Sequence, residues 1–250
     1  HRNKPVTIRT IDIGGDKKPG HFSMGPQDNP NLGLRGHRVY RYHPDILVTQ
    51  IRAILRAGRD ISNLRVLYPM IESIDELLRV KAHFEEAVLS LKAEGAAFHE
   101  NAQQGLMIEV PASAFNARRF LKHVDFACVG TNDLLQYFFA VDRNNANVQD
   151  FSAVEDPSAL SLLKSITDAA EAKNTPLTLC GELASTRRYL PLLRGLGFQH
   201  LSVDEHAVDK ILDTLEILNS PECRELVEKY IDDDPTEKSR RRLVEFWRKM

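Results

Sequence analysis

The sequence predicts an α/β protein of the (β/α)8-barrel type, a parallel sheet covered by helices. Three observations predict it. Short β-branched runs alternate with stretches of helical period along the chain, the rhythm of a parallel sheet with crossover helices. Polar or acidic residues follow nearly every apolar run, as at a barrel rim where one site is assembled from many loops. No GxGxxG follows any strand, which disfavours the other closure compatible with this alternation, an open doubly wound sheet. Six strands can be counted, whereas a closed barrel of this type needs about eight.

The elements follow in order. Residues 6–13, VTIRTIDI, read as a strand of alternating β-branched residues. Gly14-Gly15-Asp16-Lys17 then forms a turn, and the Gly-, Pro-, Asn- and Asp-rich residues 19–30 form a loop. Pro44 opens a helix with Asp45 in its first turn, and Gly58 stops it. Residues 64–69 are the second strand. Ser73 and Glu76 form a capping box at the head of a helix reaching about residue 94, whose apolar positions Leu77, Val80, Phe84, Val88 and Leu91 recur every three to four residues. Strands at 106–110 and 126–129 follow, with a helix from Pro111 to about His123 between them and a short helix over 132–141. Pro157 starts the next helix. The last two strands are 177–180 and 198–203, separated by a helix over 186–194 that Gly195 ends. Helices at 207–218, 221–230 and 237–248 close the chain, the last two joined by a hinge at Asp232-Asp233-Asp234-Pro235, with Trp247 as an anchor for the final helix. Residues 1–218 form the barrel domain on this reading, and 219–250 a helical tail.

Composition excludes more than it assigns. In 250 residues, 42% hydrophobic and 27% charged with a net charge of −2, there is no global pull toward nucleic acid or a membrane surface. The densest basic cluster, residues 238–242, reads as a solvated helix face. No apolar run is long enough to span a bilayer. Three cysteines without a short pairing motif point to a reducing, cytoplasmic setting. A first residue other than Met and no leader-like segment suggest a fragment or a processed chain.

The chemistry concentrates in residues 105–145. One strand there ends at Glu109, and the next is followed by Asp133. Two carboxylates at successive strand ends suit a hard cation such as Mg2+, which takes oxygen ligands and keeps several waters. A helix cap and a loop residue are the plainer reading of the same acids. Other polar residues beside strand ends are Arg9, Asp12, Lys17, Asn132, Arg143, Cys180 and Glu182, with Arg35 in the long loop. Arginines beside a divalent cation are what a phosphorylated, anionic substrate requires. A salt bridge explains Arg9 or Arg143 equally well. Cys180 meets Gly181 at a strand end, so it is either an inert buried thiol or a proton donor. With no thiol–histidine pair in view, acid–base work is the better fit for it.

Five ordered segments carry a resemblance: RTIDIGGDK at 9–17, NPNLGLRGHR at 29–38, GLMIEVPA at 105–112, VGTNDLLQYFFAVDR at 129–143 and CGELA at 180–184. Together they resemble the phosphoenolpyruvate (PEP)-utilising enzymes, most closely the C-terminal PEP-binding barrel of the PEP-protein phosphotransferases, of the bacterial sugar phosphotransferase system or its nitrogen-regulatory paralogue. The likeness runs from about residue 6 to 203 and thins toward 218. It implies a (β/α)8 barrel that binds PEP and Mg2+ and forms a homodimer. It further implies Arg9 and Arg35 on the phosphoryl group, Glu109 and Asp133 on Mg2+, Asn132 against the phosphoryl group, Arg143 compensating charge, and Cys180 protonating C3 of the enolate. The phosphoryl group would pass to a histidine on a separate N-terminal domain, then to a histidine-containing phosphocarrier protein, leaving pyruvate.

This chain departs from the family in three places. The family's two preceding strands, the second ending in another phosphate-binding arginine, are not here, which accounts for six strands and leaves the isolated chain expected to be inactive in the complete reaction. Ser202-Val203-Asp204-Glu205 replaces a Ser-Met-Ser-Ala-like run, adding two acids that either face an anion site or cap the next helix. Leu135, Phe138 and Phe139 are conservative packing changes. An incomplete barrel is expected to close partially, pair with a second copy, or cover its exposed faces with the tail helices 221–230 and 237–248. Pyruvate phosphate dikinases and PEP synthases share the motif set, and a non-catalytic dimerisation or regulatory module is the other alternative.

Overall fold

All six apolar runs become strands: β1 (Val6–Arg9), β2 (Leu64–Tyr68), β3 (Gln103–Ile108), β4 (Phe126–Gly130), β5 (Leu177–Cys180) and β6 (His200–Leu201), hydrogen-bonded in sequence order. The computed structural model describes residues 4–14, 25–232 and 237–249; Lys17 and most of the 232–235 hinge lie outside them. The pairs β1–β2, β2–β3 and β5–β6 run parallel. Parallel strands in sequence order, with helices between them, are the pattern of an incomplete (β/α)8 barrel.

Local chemistry sets where each strand stops. The run at 6–13 leaves the ladder after Thr10, whose amide still donates to the Leu67 carbonyl (2.9 Å). The Ile11 amide then donates to the Gln50 side chain (2.8 Å), and the Tyr40 hydroxyl donates to the Ile11 carbonyl. Side chains thus take over the backbone groups that a longer strand would have paired. The run at 198–203 shortens to two residues for want of an outer neighbour, although the Ser202 amide still reaches the Leu179 carbonyl (2.8 Å).

The helices are α1 (His37–Tyr40), α2 (Pro44–Ala57), α3 (Ile74–Ala93), α4 (Pro111–Phe115), α5 (Ala117–Phe120), α6 (Thr131–Phe139), α7 (Pro157–Lys173), α8 (Leu190–Gly195), α9 (Val208–Ile217), α10 (Ser220–Asp232) and α11 (Glu237–Lys249). Helix α1 was not anticipated. At the head of α3 the Ser73 hydroxyl accepts from the Glu76 amide (3.2 Å), as the capping pattern predicts. The single helix expected over 111–123 breaks at Asn116, whose side chain donates to the Ala112 carbonyl (3.0 Å) and competes with the helical ladder. The helix expected over 186–194 starts only at Leu190. Pro191 suits a first turn, and the residues before it form two 3-10 turns, Glu182–Ser185 and Arg187–Tyr189.

Contacts along the chain group into two units. The first is His1–Ile108 with Val124–Ala127, the second Glu109–His123 with Cys128–Met250. In the first, α2 packs on α3, and Leu47, Ile51 and Leu55 join Leu77, Val80, Phe84 and Val66 in the core. In the second, α4, α5 and α10 pack on α7, α10 also packs on α8, and α11 on α10. The tail helices therefore belong to the second unit. Among the described residues, no helix is long and apolar enough to cross a membrane.

One close approach holds β3 to the start of β4. The Phe126 ring lies against Gly105, where a Cβ would stand 2.5 Å from the ring, and the Arg65 guanidinium sits 5.0 Å from the ring centroid. Phe126 is fully buried, so it has nowhere to retreat. Gly105→Ala is expected to cost about 1–3 kcal/mol by overpacking, measured as a shift of the urea midpoint at unchanged slope.

Candidate functional site

In the first unit, the residues after β1 form a charged cluster. Asp12 and Arg35 are both fully buried at their side chains. Arg35 donates through Nε to Asp12 Oδ1 (3.0 Å) and through Nη2 to Asp12 Oδ2 (2.9 Å), the bidentate fork that makes such pairs strong and directional. Arg9, the last residue of β1, points its guanidinium to the same carboxylate at 3.9 Å with a side chain 39% exposed. Of the two arginines expected on the phosphoryl group, Arg9 is reachable from solvent. Arg35 in this arrangement has its guanidinium buried and engaged with Asp12.

The segment carrying Arg35 is held from behind. Two residues on, buried His37 meets the Glu72 carboxylate through Nε2 and lies 3.4 Å from Glu76 through Nδ1. Burial raises the Glu72 carboxyl and is the largest single influence on it. The hydrogen bond from His37, with the charges of His37 and Arg38, outweighs burial and holds the group below the usual carboxylate range. Glu76 also faces Arg79 (3.4 Å) and Arg41 (3.7 Å).

The second unit carries the other expected residues. Glu109 follows β3 and is buried, with Val110 and Pro111 leading into α4. Strand β4 runs directly into α6, which places Asn132 and Asp133 in the first helical turn, where partial positive charge favours a carboxylate. Asp133 is buried. Ala140 ends α6 in a left-handed conformation (φ 54°), and the chain turns back. The Arg143 amide then donates to Gln136 Oε1 (3.1 Å), and its guanidinium comes within 3.4 Å of Asp133 Oδ1. Helix α4 packs on α6, so the segments after β3 and β4 are neighbours.

A clasp joins the ends of β4 and β5. The Cys180 thiol donates to the Val129 carbonyl (3.2 Å), the Thr131 hydroxyl donates to the Cys180 carbonyl (2.9 Å), and the Glu182 amide donates to Asn132 Oδ1 (3.1 Å). Gly181 makes this possible. Its φ is +102°, and a Cβ there would lie 2.6 Å from Thr131 Oγ1 and 2.8 Å from Asn132 Oδ1. Cys180 is partly exposed, unlike buried Cys128 and Cys223. Burial pushes the Cys223 thiol up to about 11, the behaviour of a spectator.

Asp204 takes the capping role, and Glu205 lies in the first turn beside it. The Asp204 side chain accepts from the His206 amide (2.9 Å) at the head of a 3-10 turn, and both acids are exposed. Glu109 and Asp133 supply hard oxygen donors of the kind Mg2+ takes. Among the described residues no group of three or more His, Cys, Asp and Glu gathers, so a cation on these two acids would complete its shell from water and substrate oxygens. Sequence reasoning placed Asp12 at a strand end without a partner and did not select Thr131. No local pattern marks either, because both partners come from distant segments.

The comparisons with known proteins agree with the motifs. The family model described as PEP-utilising enzyme, PEP-binding domain matches residues 1–219. Among curated proteins, the chain is 39% identical over 224 residues to multiphosphoryl transfer protein 1 of Escherichia coli K12, covering 90% of this chain and 27% of that protein. It is 37% identical over 250 residues to the phosphoenolpyruvate-protein phosphotransferase of Mycoplasma genitalium, covering 99% and 42%, and 37% identical over 242 residues to that of Latilactobacillus sakei, covering 97% and 42%. The chain thus spans well under half the length of these relatives. Among solved structures, a citrate lyase of Burkholderia xenovorans LB400 shares the fold at a TM-score of 0.50 with 14% identity, covering 74% of this chain and 58% of that one.

The cluster after β1 predicts unequal costs. Asp12→Ala removes the bidentate partner of a buried guanidinium and is expected to destabilise by about 3–5 kcal/mol. Arg9→Ala breaks a long, solvent-facing contact and is expected to cost about 0–1 kcal/mol. Chemical denaturation of the two variants beside the parent checks the difference.

Proposed function

The chain belongs to the PEP-utilising enzymes, through their PEP-binding domain, and from that premise we propose that it is the PEP-binding domain of a PEP-protein phosphotransferase. The single observation that supports the reading is the set Glu109, Asn132, Asp133, Arg143 and Cys180, which follow β3 and β4 or end β5 and all fall in the second unit. Relatives that bear the phosphotransferase name support it over a dikinase or a non-catalytic module.

The residues divide the work. Arg9 meets the phosphoryl oxygens with an accessible fork, and Arg35 would meet them by exchanging its Asp12 partner for the anion. Asn132 and Arg143 contact or compensate the anion beside them. Glu109 and Asp133 would hold Mg2+, which when bound polarises phosphoryl and enolate oxygens and orients the substrate. In the transfer, the bond from phosphorus to the enol oxygen breaks and a bond to a histidine nitrogen of a separate domain forms. Enolpyruvate is left, and Cys180 gives its thiol proton to C3 to make pyruvate, the thiolate recovering a proton from solvent. The hydrogen bond to the Val129 carbonyl orients the thiol. A phosphocarrier protein would receive the phosphoryl group from the histidine domain, and a second copy of the chain would complete a dimer. A cytoplasmic setting suits three cysteines that form no disulfide.

Two measurements test the reading. Calorimetry of this chain with PEP is expected to show binding that depends on Mg2+ and loses that dependence in both Glu109→Ala and Asp133→Ala; binding indifferent to both substitutions would remove the metal assignment. Exchange of the pyruvate methyl hydrogens in heavy water, followed by NMR, is expected to fall about 10²–10⁴-fold in Cys180→Ala while PEP affinity holds. Unchanged exchange would take the proton-donor role away from Cys180.

A further inference from the structure

We propose that Trp247 is a positioning residue, latching the tail helix α11 onto the rim loop after Cys180 so that an anion bound at the rim is felt at the indole. The inference rests on the PEP-binding reading of that rim.

Trp247 is the chain's single tryptophan and lies beyond residue 219, where the family match ends. Its indole Nε1 donates to the Arg188 carbonyl (3.0 Å), 59 residues away. The Arg187 guanidinium lies 5.8 Å from the indole centroid, within cation–π range. The Arg188 carbonyl sits in the 3-10 turn Arg187–Tyr189, too short to satisfy its own acceptors, and the indole N–H of half-buried Trp247 supplies it a donor. Helix α11 is also tied to α10, where Arg242 Nη1 donates to the Lys229 carbonyl (3.0 Å).

From that turn a continuous set of hydrogen bonds leads back to the rim. The Tyr189 amide donates to the Thr186 carbonyl (3.0 Å), and the Thr186 hydroxyl donates to the Glu182 carbonyl (2.9 Å). The Glu182 amide donates to Asn132 Oδ1, beside Asp133. Two short turns with little slack thus connect a substrate-contacting amide to the indole. Arg188 also meets Glu155 (3.3 Å). Trp247→Phe would free the far end of this loop while leaving every expected ligand of the anion in place.

The test runs two readouts on the 250-residue chain titrated with PEP in Mg2+: calorimetry, and the emission of the sole tryptophan. The expected result is a saturable emission change with the calorimetric midpoint, together with about two- to tenfold weaker PEP binding in Trp247→Phe, which keeps an aromatic ring and loses the N–H. Calorimetric binding without an emission change overturns the inference and leaves the PEP-binding reading intact. An emission change with unaltered affinity in Trp247→Phe overturns the positioning role. Absence of calorimetric binding in the parent chain overturns the PEP-binding reading and the inference with it.

Discussion

The clasp between the ends of β4 and β5 is the constraint from which the second unit's chemistry follows. Three side-chain hydrogen bonds, through Cys180, Thr131 and Asn132, cross between the two strand ends. They fix the thiol, the first turn of α6 and the start of the rim loop relative to each other. Gly181 admits that approach, since any side chain there would collide with Thr131 and Asn132. The thiol is thereby held against the Val129 carbonyl, at a place set by the two strand ends.

A different solution operates in the first unit. Burying a guanidinium is costly unless a carboxylate meets it with good geometry. Asp12 meets Arg35 with both oxygens, and Gly36 and His37 follow into a second charged cluster on α3. The guanidinium is thereby fixed in place, neutralised by its partner and closed to solvent. Arg9, on the same carboxylate but at 3.9 Å, stays open to water.

The tail is part of the same economy of distant contacts. Helix α10 packs on α7 and α8, and α11 follows it onto the 3-10 turns after β5. Residues outside the family's matched domain therefore touch a loop whose other end belongs to the candidate site. That arrangement gives a segment with no ligand of its own a physical route to the rim.

By itself the sequence determined the alternation of strands and helices, the number of strands, the Ser73 cap, and the placement of Asp133 in a first helical turn. These depend on neighbours a few residues apart, where periodicity, caps and breakers act directly. The motifs around Arg9, Arg35, Glu109, Asp133 and Cys180 also made the family legible. Tertiary structure alone decided which carboxylate holds Arg35, what the Cys180 thiol faces, and where the Trp247 indole lands, pairings that span 23, 51 and 59 residues. Partner choice at such separations is made by burial: a polar group drawn into the interior takes whichever complementary group the packed strands and helices bring within reach, and no local pattern records which one that is.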